Sequence, residues 1–438
     1  GKKVTVPIHG QSVPIIADAD VDKDFGSGAV MICTFGDRQD VVWAYRHGLQ
    51  VIKAMDAAGR LTNAGAYDGL KTKEAKEKIL DDLKSAGLML GQKKLQQAVK
   101  IHDRCKKPIE FLSSTQWFIK IKGYQNDVKA AAAKMRWTPE HMRQLLNDWA
   151  DGLEWDWCIS RQRVFGIPIP FWYCPDCNEV IAPDEKDLPV DPAHQKAPQP
   201  CKKCGKEPIG ETSICDGWVD SSITPLVITG WPDNKKRFEK LYPVTVRPQG
   251  TDIIRTWAFY TIFRCSRLTG QPPFSEMLIN GMVLGKDGKK MSKSLGNYVE
   301  AKEVIGRAGV DALRQWAALC GSTGKDNQYR EEDIKHAQSF TNKVWNASKF
   351  IQGALAEPSN AKPAFHVTDY WMQSRLAQTV RDVTKSMKHY QYYEALTTLQ
   401  AFFWHDVCDL YLEDVKHRIY GDGAASKAAA QKTLRHVL

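Results

Sequence analysis

Lys289, Lys290 and Lys293 lie with Ser292 and Ser294 in one short run, Gly288-Lys289-Lys290-Met291-Ser292-Lys293-Ser294-Leu295-Gly296-Asn297. The lysines supply cations and the serines hydroxyl donors, while Gly285, Gly288 and Gly296 permit the bends and close approach of a phosphate-binding loop. Such a loop can cradle a polyphosphate; the competing reading is a solvated surface turn, since charge runs usually face water. A second set is Cys174-Pro175-Asp176-Cys177 and Cys201-Lys202-Lys203-Cys204-Gly205, with 23 residues between. Two such knuckles can converge four thiolates on one zinc ion, against the alternative of free thiols. Four cysteines leave no position for substrate, so that metal is structural.

Carboxylates and indoles recur in two further places. Gly26-Ser27-Gly28-Ala29-Val30 leads into Asp37-Arg38-Gln39-Asp40, either a tight turn with solvated acids or a small ion-pairing pocket. Gly250-Thr251-Asp252 opens a helix carrying Trp257, and Trp218 lies upstream in Cys215-Asp216-Gly217-Trp218. Taken singly, the aspartate reads as a helix cap and the indoles as core.

The elements that must position these groups are short strands and amphipathic helices. Met277 to Leu284, broken by Asn280 and Gly281, reads as one or two buried strands feeding the lysine run, and Tyr242 to Val246 as another. Lys3 to Ile8, Val13 to Ile16 and Ala29 to Phe35 read as strands of a small β-rich unit, with helices near Val41 to His47 and over Thr72 to Ala86, the latter ended by Gly87. Helices are expected over Asn126 to Met135 and His141 to Trp149, the second started by Thr138 at N-cap and Pro139 at N1. Asp184 to Pro200, rich in proline and charge, reads as loop. After Asn297 the pattern is all-α: a helical region from Asp311 to Phe350, a linker at Pro358 and Pro363, then helices from about Trp371 to Met387 and Tyr393 to Tyr411. Tyr393, Leu396, Leu399, Phe402 and Phe403 read as core.

A length of 438 residues suggests two to four domains, and 43% hydrophobic with 26% charged residues is ordinary for a soluble globular protein. The net charge of +10 favours an anionic partner, nucleic acid first. No apolar run approaches the roughly 18 residues of a membrane span, and no signal peptide is visible. Eleven cysteines, mostly scattered, argue against a disulfide framework and for a reducing cytosol.

The order of residues narrows these readings. Lys290 to Ser294 is the Lys-Met-Ser-Lys-Ser sequence of class I aminoacyl-tRNA synthetases, in that family's strand-to-loop position. The resemblance implies that Lys290, Met291, Ser292, Lys293 and Ser294 are catalytic, with Lys293 stabilising charge on the ATP phosphates. Ile159-Ser160-Arg161-Gln162-Arg163 resembles the segment by which the valine, isoleucine and leucine branch re-enters its catalytic core; Arg161 and Arg163 are then either salt-bridged or within reach of the tRNA acceptor end. Gly26 to Asp40 resembles the editing domain of that branch, which implies that Asp40, with Asp37 nearby, holds the ammonium of a misacylated amino acid. Editing removes threonine, which a hydrophobic pocket rejects poorly. Cys215 to Ser222 and Gly250 to Trp257 match valine-specific members best. By that resemblance Gly250 and Asp252 bind the adenylate, Asp252 at the ribose hydroxyls, and Trp218 and Trp257 wall a pocket that excludes isoleucine by overpacking. Asp311-Ala312-Leu313-Arg314 and Phe402-Phe403-Trp404-His405-Asp406 resemble the family's anticodon-binding domain.

The resemblance covers the whole chain and implies an α/β fold: the second half of a class I Rossmann-type catalytic domain (113–300, with a zinc-knuckle insert at 171–210). The C-terminal part of a β-rich editing domain (1–112) precedes it, and a truncated helical anticodon-binding domain (301–438) follows. It implies an archaeal-type ligase taking ATP with Mg2+ as substrate, L-valine and a valine-accepting tRNA, with a structural Zn2+, in the cytoplasm and away from membranes. The family's His-x-Gly-His motif is not among the 11 histidines, and the threonine-rich Thr-Thr-Arg strand of the editing pocket is also missing. The expectation is a fragment not competent alone, its amino-terminal half lost by cropping or supplied by a separate chain. An isoleucine-specific relative and a non-catalytic tRNA-binding remnant are the alternatives.

Overall fold

The computed structural model describes residues 1–24, 27–33, 36–92, 98–102, 105–293, 296–321 and 323–438. They form two compact units, 1–116 and 117–438. In the first, β1 (Lys3–Thr5) and β2 (Ser12–Pro14) pair antiparallel, and α1 (Arg38–Arg46) and α2 (Thr72–Ser85) supply the expected helices. The strand expected from Ala29 does not form over its described residues 29–33. No described strand runs beside that segment to complete its backbone hydrogen bonds, and the capped start of α1 follows directly. Residues 34–35 lie outside the described ones. Trp43, Ala44, Tyr67 and Ala75 are this unit's buried apolar side chains among the described residues.

The second unit opens with β3 (Phe118–Ile119), α3 (Gln125–Ala133), β4 (Arg136–Thr138), α4 (Met142–Asp151), β5 (Trp157–Cys158) and β6 (Ser160–Arg161). Thr138 does not cap α4: it pairs with Leu278 across the sheet, and His141 precedes the helix without a side-chain cap bond. Burial of Trp137 and the ladder partner of Thr138 hold this backbone extended. β7 (Trp172–Tyr173), β8 (Val180–Ile181) and β9 (Ile209–Gly210) form a small antiparallel sheet centred on β7. β10 (Ile214–Cys215) returns to pair with β6, and α5 (Gly217–Ser221), α6 (Thr224–Thr229) and α7 (Lys235–Leu241) follow.

β11 (Val244–Gly250) then runs through a 3-10 turn, Thr251–Ile253, and a π-helical turn, Ile254–Ala258, into α8 (Phe259–Thr269). β12 (Phe274–Asn280) and β13 (Val283–Leu284) lead to the lysine run. The central sheet has the order β11-β12-β4, all parallel, with Gly250 opposite Asn280. Met277 and Ile279 on β12 are wholly buried and Leu278 nearly so, the pattern of a strand covered on both faces. Ala132 of α3, Leu146 of α4 and Phe259 and Ile262 of α8 join Met277 and Ile279 in one core.

The remainder is helical: α9 (Ala301–Ala308), α10 (Val310–Leu319), a short β14 (Asn327–Gln328) parallel to β13, α11 (Glu331–Leu355), α12 (Val367–Lys388), α13 (Tyr392–Ala401), a π-helical stretch Phe402–Tyr411, α14 (Leu412–Tyr420) and α15 (Ala424–Val437). α13 to α14 is one continuous helical run, longer than expected. α15 was not legible from spacing, because it packs largely through alanines such as Ala429 and Ala430. Alanine favours helix without marking a face. Phe402 is buried, but Tyr393 and Leu399 are exposed, so the stripe is only partly core.

The bundle contains a buried ion pair. Arg418 grips Asp369 with two parallel bonds of 2.9 and 2.8 Å, and Tyr411 and the His366 backbone N–H also donate to that carboxylate. Burial alone would raise the Asp369 carboxyl, but these donors outweigh it and hold it below the usual range. Asp369→Ala, which strands Arg418 without its counter-charge, should cost about 3–5 kcal/mol in urea unfolding. The contribution of Asp369 is present above the ordinary carboxylate range and lost as pH falls through and below about 4.

Candidate functional site

The site is built where two parallel strands end. After β11, the chain turns at Gly250 so that Asp252 folds back over it: a Cβ at Gly250 would meet the Asp252 Oδ1 at 2.8 Å. After β12 and the short β13 the lysine run begins, and Lys290 Nζ reaches Asp252 Oδ2 at 3.3 Å. Both side chains are exposed, 66% and 41%, so the pair is worth only about 0–1 kcal/mol and opens readily.

The loop closes on itself. The Gly285 N–H donates to Lys289 O at 2.8 Å. Asn297 ties its two ends: its Oδ1 accepts from the Ser292 N–H at 2.8 Å, and its Nδ2 donates to Asp287 at 3.1 Å. Asn297 and the Lys289 N–H hold the Asp287 carboxyl below its ordinary value. Met291 packs against the core formed by Val304, Ala312, Trp316 and Ile334, which anchors the loop's middle on the following helices. Lys293 makes no ion pair among the described residues; its Nζ lies 5.5 Å from the Tyr298 ring centre. Ser294 lies outside the described residues.

Trp257 is buried on the π-helical turn, its indole N–H donating to Ser221 O at 3.2 Å. Trp218, half-buried on α5, packs against the same core, and α5 contacts the π-helical turn. Spacing gave no notice of two neighbours on β11. The Arg247 guanidinium lies 4.0 Å over the Trp257 ring, its Nε buried and unpartnered, and burial lowers its pKa. Gln249, 5% exposed, has both amide atoms without partners. Long polar side chains enclosed on a strand of the parallel sheet are the signal that marks them.

The arginines of the re-entry segment separate. Arg161 is structural: it pairs with Asp216 at 2.7 Å and donates to Cys158 O and Ser160 O. Arg163 is exposed and lines a cavity of about 270 Å3 with Gln162, Val164, Thr212 and Ser213.

The four knuckle cysteines converge. Cys174–Cys204, Cys177–Cys201 and Cys177–Cys204 Sγ separations are 3.3, 3.5 and 3.7 Å, and all four sulfurs lie within 4.8 Å of one another. A tetrahedral ion with sulfur at about 2.3 Å needs edges of about 3.8 Å, so the set fits a soft divalent metal. The two turns repeat one geometry: the N–H groups of Asn178 and Gly205, both at positive φ, donate to Cys174 O and Cys201 O. Backbone N–H groups of Cys177 and Asp176 lower the Cys174 thiol to about 7.

In the first unit, Asp37 caps α1 by accepting the Asp40 N–H at 2.9 Å. Asp40, 8% exposed, accepts the Gly36 N–H at 3.0 Å; burial and the Asp37 charge raise its pKa. Asp40 is therefore not a solvated acid. Gly26 lies outside the described residues.

Residues 16–330 match the family model for class I tRNA synthetases (I, L, M and V), and 369–438 match the anticodon-binding domain of tRNA ligases. The chain belongs to the class I tRNA synthetases. It is 49% identical over 440 residues to the valine–tRNA ligase of Methanothermobacter thermautotrophicus and 46% identical over 445 to that of Methanocaldococcus jannaschii, in each case over 100% of this chain and 50% of the relative. The chain thus spans about half the length of the curated relatives it matches. Among solved structures, the fold is similar to Mycobacterium tuberculosis methionyl-tRNA synthetase in complex with methionyl-adenylate, with TM-score 0.57, 19% identity, and 78% of this chain and 61% of that one covered. An Agrobacterium radiobacter LeuRS ternary complex matches at TM-score 0.51 and 22% identity over 66% of this chain and 41% of that one. No described helix is long and apolar enough to cross a membrane.

Purified in the presence of zinc, the chain should carry about one zinc per molecule by elemental analysis, as a single set of four thiolate ligands demands. Cys201→Ser should lose it and expose residues 184–200 to protease.

Proposed function

We propose that this chain carries the lysine-loop half of a valine–tRNA ligase, which joins L-valine to a valine-accepting tRNA through a valyl-adenylate, with ATP and Mg2+ as substrate. The observation that carries the reading is the meeting of Lys290 with Asp252 at the carboxyl ends of β11 and β12. Open parallel sheets bind nucleotides at that edge. Identity of 46–49% to valine–tRNA ligases along the whole chain supports valine over isoleucine.

In activation, a valine carboxylate oxygen attacks the α-phosphorus, the bond from that phosphorus to the bridging oxygen breaks, and pyrophosphate leaves. Lys293, which makes no ion pair among the described residues and lies over the Tyr298 ring, swings onto the departing phosphates as a positioned cation, with Lys290 beside it. Ser292 and Ser294 add hydroxyl donors, and Met291 is the pivot on which the loop moves. Asp252 exchanges Lys290 for the ribose hydroxyls, and Gly250 leaves room for the nucleoside. Trp218 and Trp257 bound the valine pocket. A terminal hydroxyl of the tRNA then attacks the acyl carbon and AMP leaves. The buried Asp40, next to Asp37 and without a cation beside it among the described residues, suits the ammonium of misacylated threonine. Zinc at Cys174, Cys177, Cys201 and Cys204 ties two loops together without entering the reaction. The same reading assigns the ligase to the cytoplasm.

In the ligase containing this chain, Lys293→Ala should lower valine-dependent ATP–pyrophosphate exchange by about a hundredfold or more. tRNA retention on filters should stay within about twofold, because one exposed lysine contributes little to a large nucleic-acid interface. Exchange that survives the substitution refutes the catalytic role of Lys293; tRNA retention with no exchange in the unsubstituted ligase favours a tRNA-binding remnant.

A further inference from the structure

Tyr390 occupies an unusual position. It closes α12 with φ +58, in the left-handed region where a helix ordinarily ends on glycine and a bulky side chain is rare. An outlier of this kind calls for a use of the side chain. The phenol O–H donates to Glu276 Oε2 at 2.6 Å, and the ring lies 5.3 Å from the Arg136 guanidinium, which ion-pairs with the same carboxylate. Glu276 lies on β12 and Arg136 on β4, directly opposite in the ladder. The turn between α12 and α13 therefore grips the strand that feeds the lysine loop.

A second tether reaches the same strand's far end. Thr323 Oγ1 meets Tyr390 O at 3.5 Å. The segment after Thr323 is locked onto the exit from β12: Asp326 Oδ1 accepts the Met282 N–H at 2.7 Å, and the Asn327 and Tyr329 N–H groups donate to Met282 O and Leu284 O. A Cβ on Gly281 would come within 1.7 Å of Lys325 O, so only glycine permits this approach. Gln328 Nε2 then donates to Lys286 O inside the loop. A contiguous chain of bonds thus runs from the α12–α13 turn to the loop at both ends of β12.

We propose that Tyr390 is a positioning residue: through Glu276 and the Thr323–Gln328 segment, RNA bound on the helical bundle sets the placement of the lysine loop. This rests on the reading of the chain as part of a tRNA ligase. A connected network becomes a coupling only when occupancy of one end moves the other. Trypsin cleavage at Lys289, Lys290 and Lys293 reads that movement directly.

The test compares the ligase containing this chain with its Tyr390→Phe and Tyr390→Gly variants. Tyr390→Phe removes only the hydroxyl. Tyr390→Gly removes the side chain but suits the left-handed backbone, so lost coupling cannot be assigned to misfolding. Saturating valine-accepting tRNA should change the wild-type cleavage rate by about fivefold, and both variants should lose that change while binding tRNA within about twofold of wild type. Variants that keep the wild-type response, or a wild-type loop indifferent to bound tRNA, overturn the proposal. If wild type binds no tRNA, the ligase reading fails, and the coupling fails with it.

Discussion

The parallel register of β11 on β12 is the constraint on which the site depends. It sets Gly250 opposite Asn280, so the turn carrying Asp252 and the loop carrying Lys290 leave the sheet side by side. The ion pair between them is a consequence of this alignment and not its cause. Exposed as it is, it contributes about 0–1 kcal/mol, whereas burial of the side chains of Met277, Ile279, Phe259 and Ile262 contributes about 1.5–3 kcal/mol each. A one-residue slip would turn Met277 and Ile279 out of their side of the core. The sheet is rigid so that the loop can be loose.

That division of labour extends beyond the sheet. Met291 and Tyr390 attach the loop and its feeding strand to the helices that follow, and Asp369 with Arg418 stiffens the bundle by a fully partnered buried charge pair. The cysteine knuckles provide local rigidity where Asp184 to Pro200 offers little to bury. Met291 apart, a few specific polar contacts or thiolates fix geometry, while apolar burial supplies most of the stability.

What could be read from the sequence follows from how far apart the partners lie. Lys290 and Lys293, the two Cys-x-x-Cys turns and the helices at Thr72 and Gln125 are local patterns, legible from spacing. The partners of Tyr390 and Asp369 are not: Glu276 lies 114 residues from Tyr390, and Arg418 lies 49 from Asp369. Thr138 misled because its sequence suits a cap while the sheet claims its backbone. Arg161 and Asp40 each carry two readings in the sequence: an ion pair supports the structural one for Arg161, and burial removes the solvated-acid one for Asp40. Arg161 is consumed by Asp216, and Asp40 is enclosed.

The central claim, that the ends of β11 and β12 form one half of an adenylate site, is tested most directly by calorimetric titration of the ligase containing this chain with a non-hydrolysable valyl-adenylate analogue. Asp252→Asn should weaken binding by about tenfold or more, the loss of about 1.4 kcal/mol expected when a charged acceptor of hydroxyl hydrogen bonds is neutralised. Unchanged affinity in that variant would contradict the account.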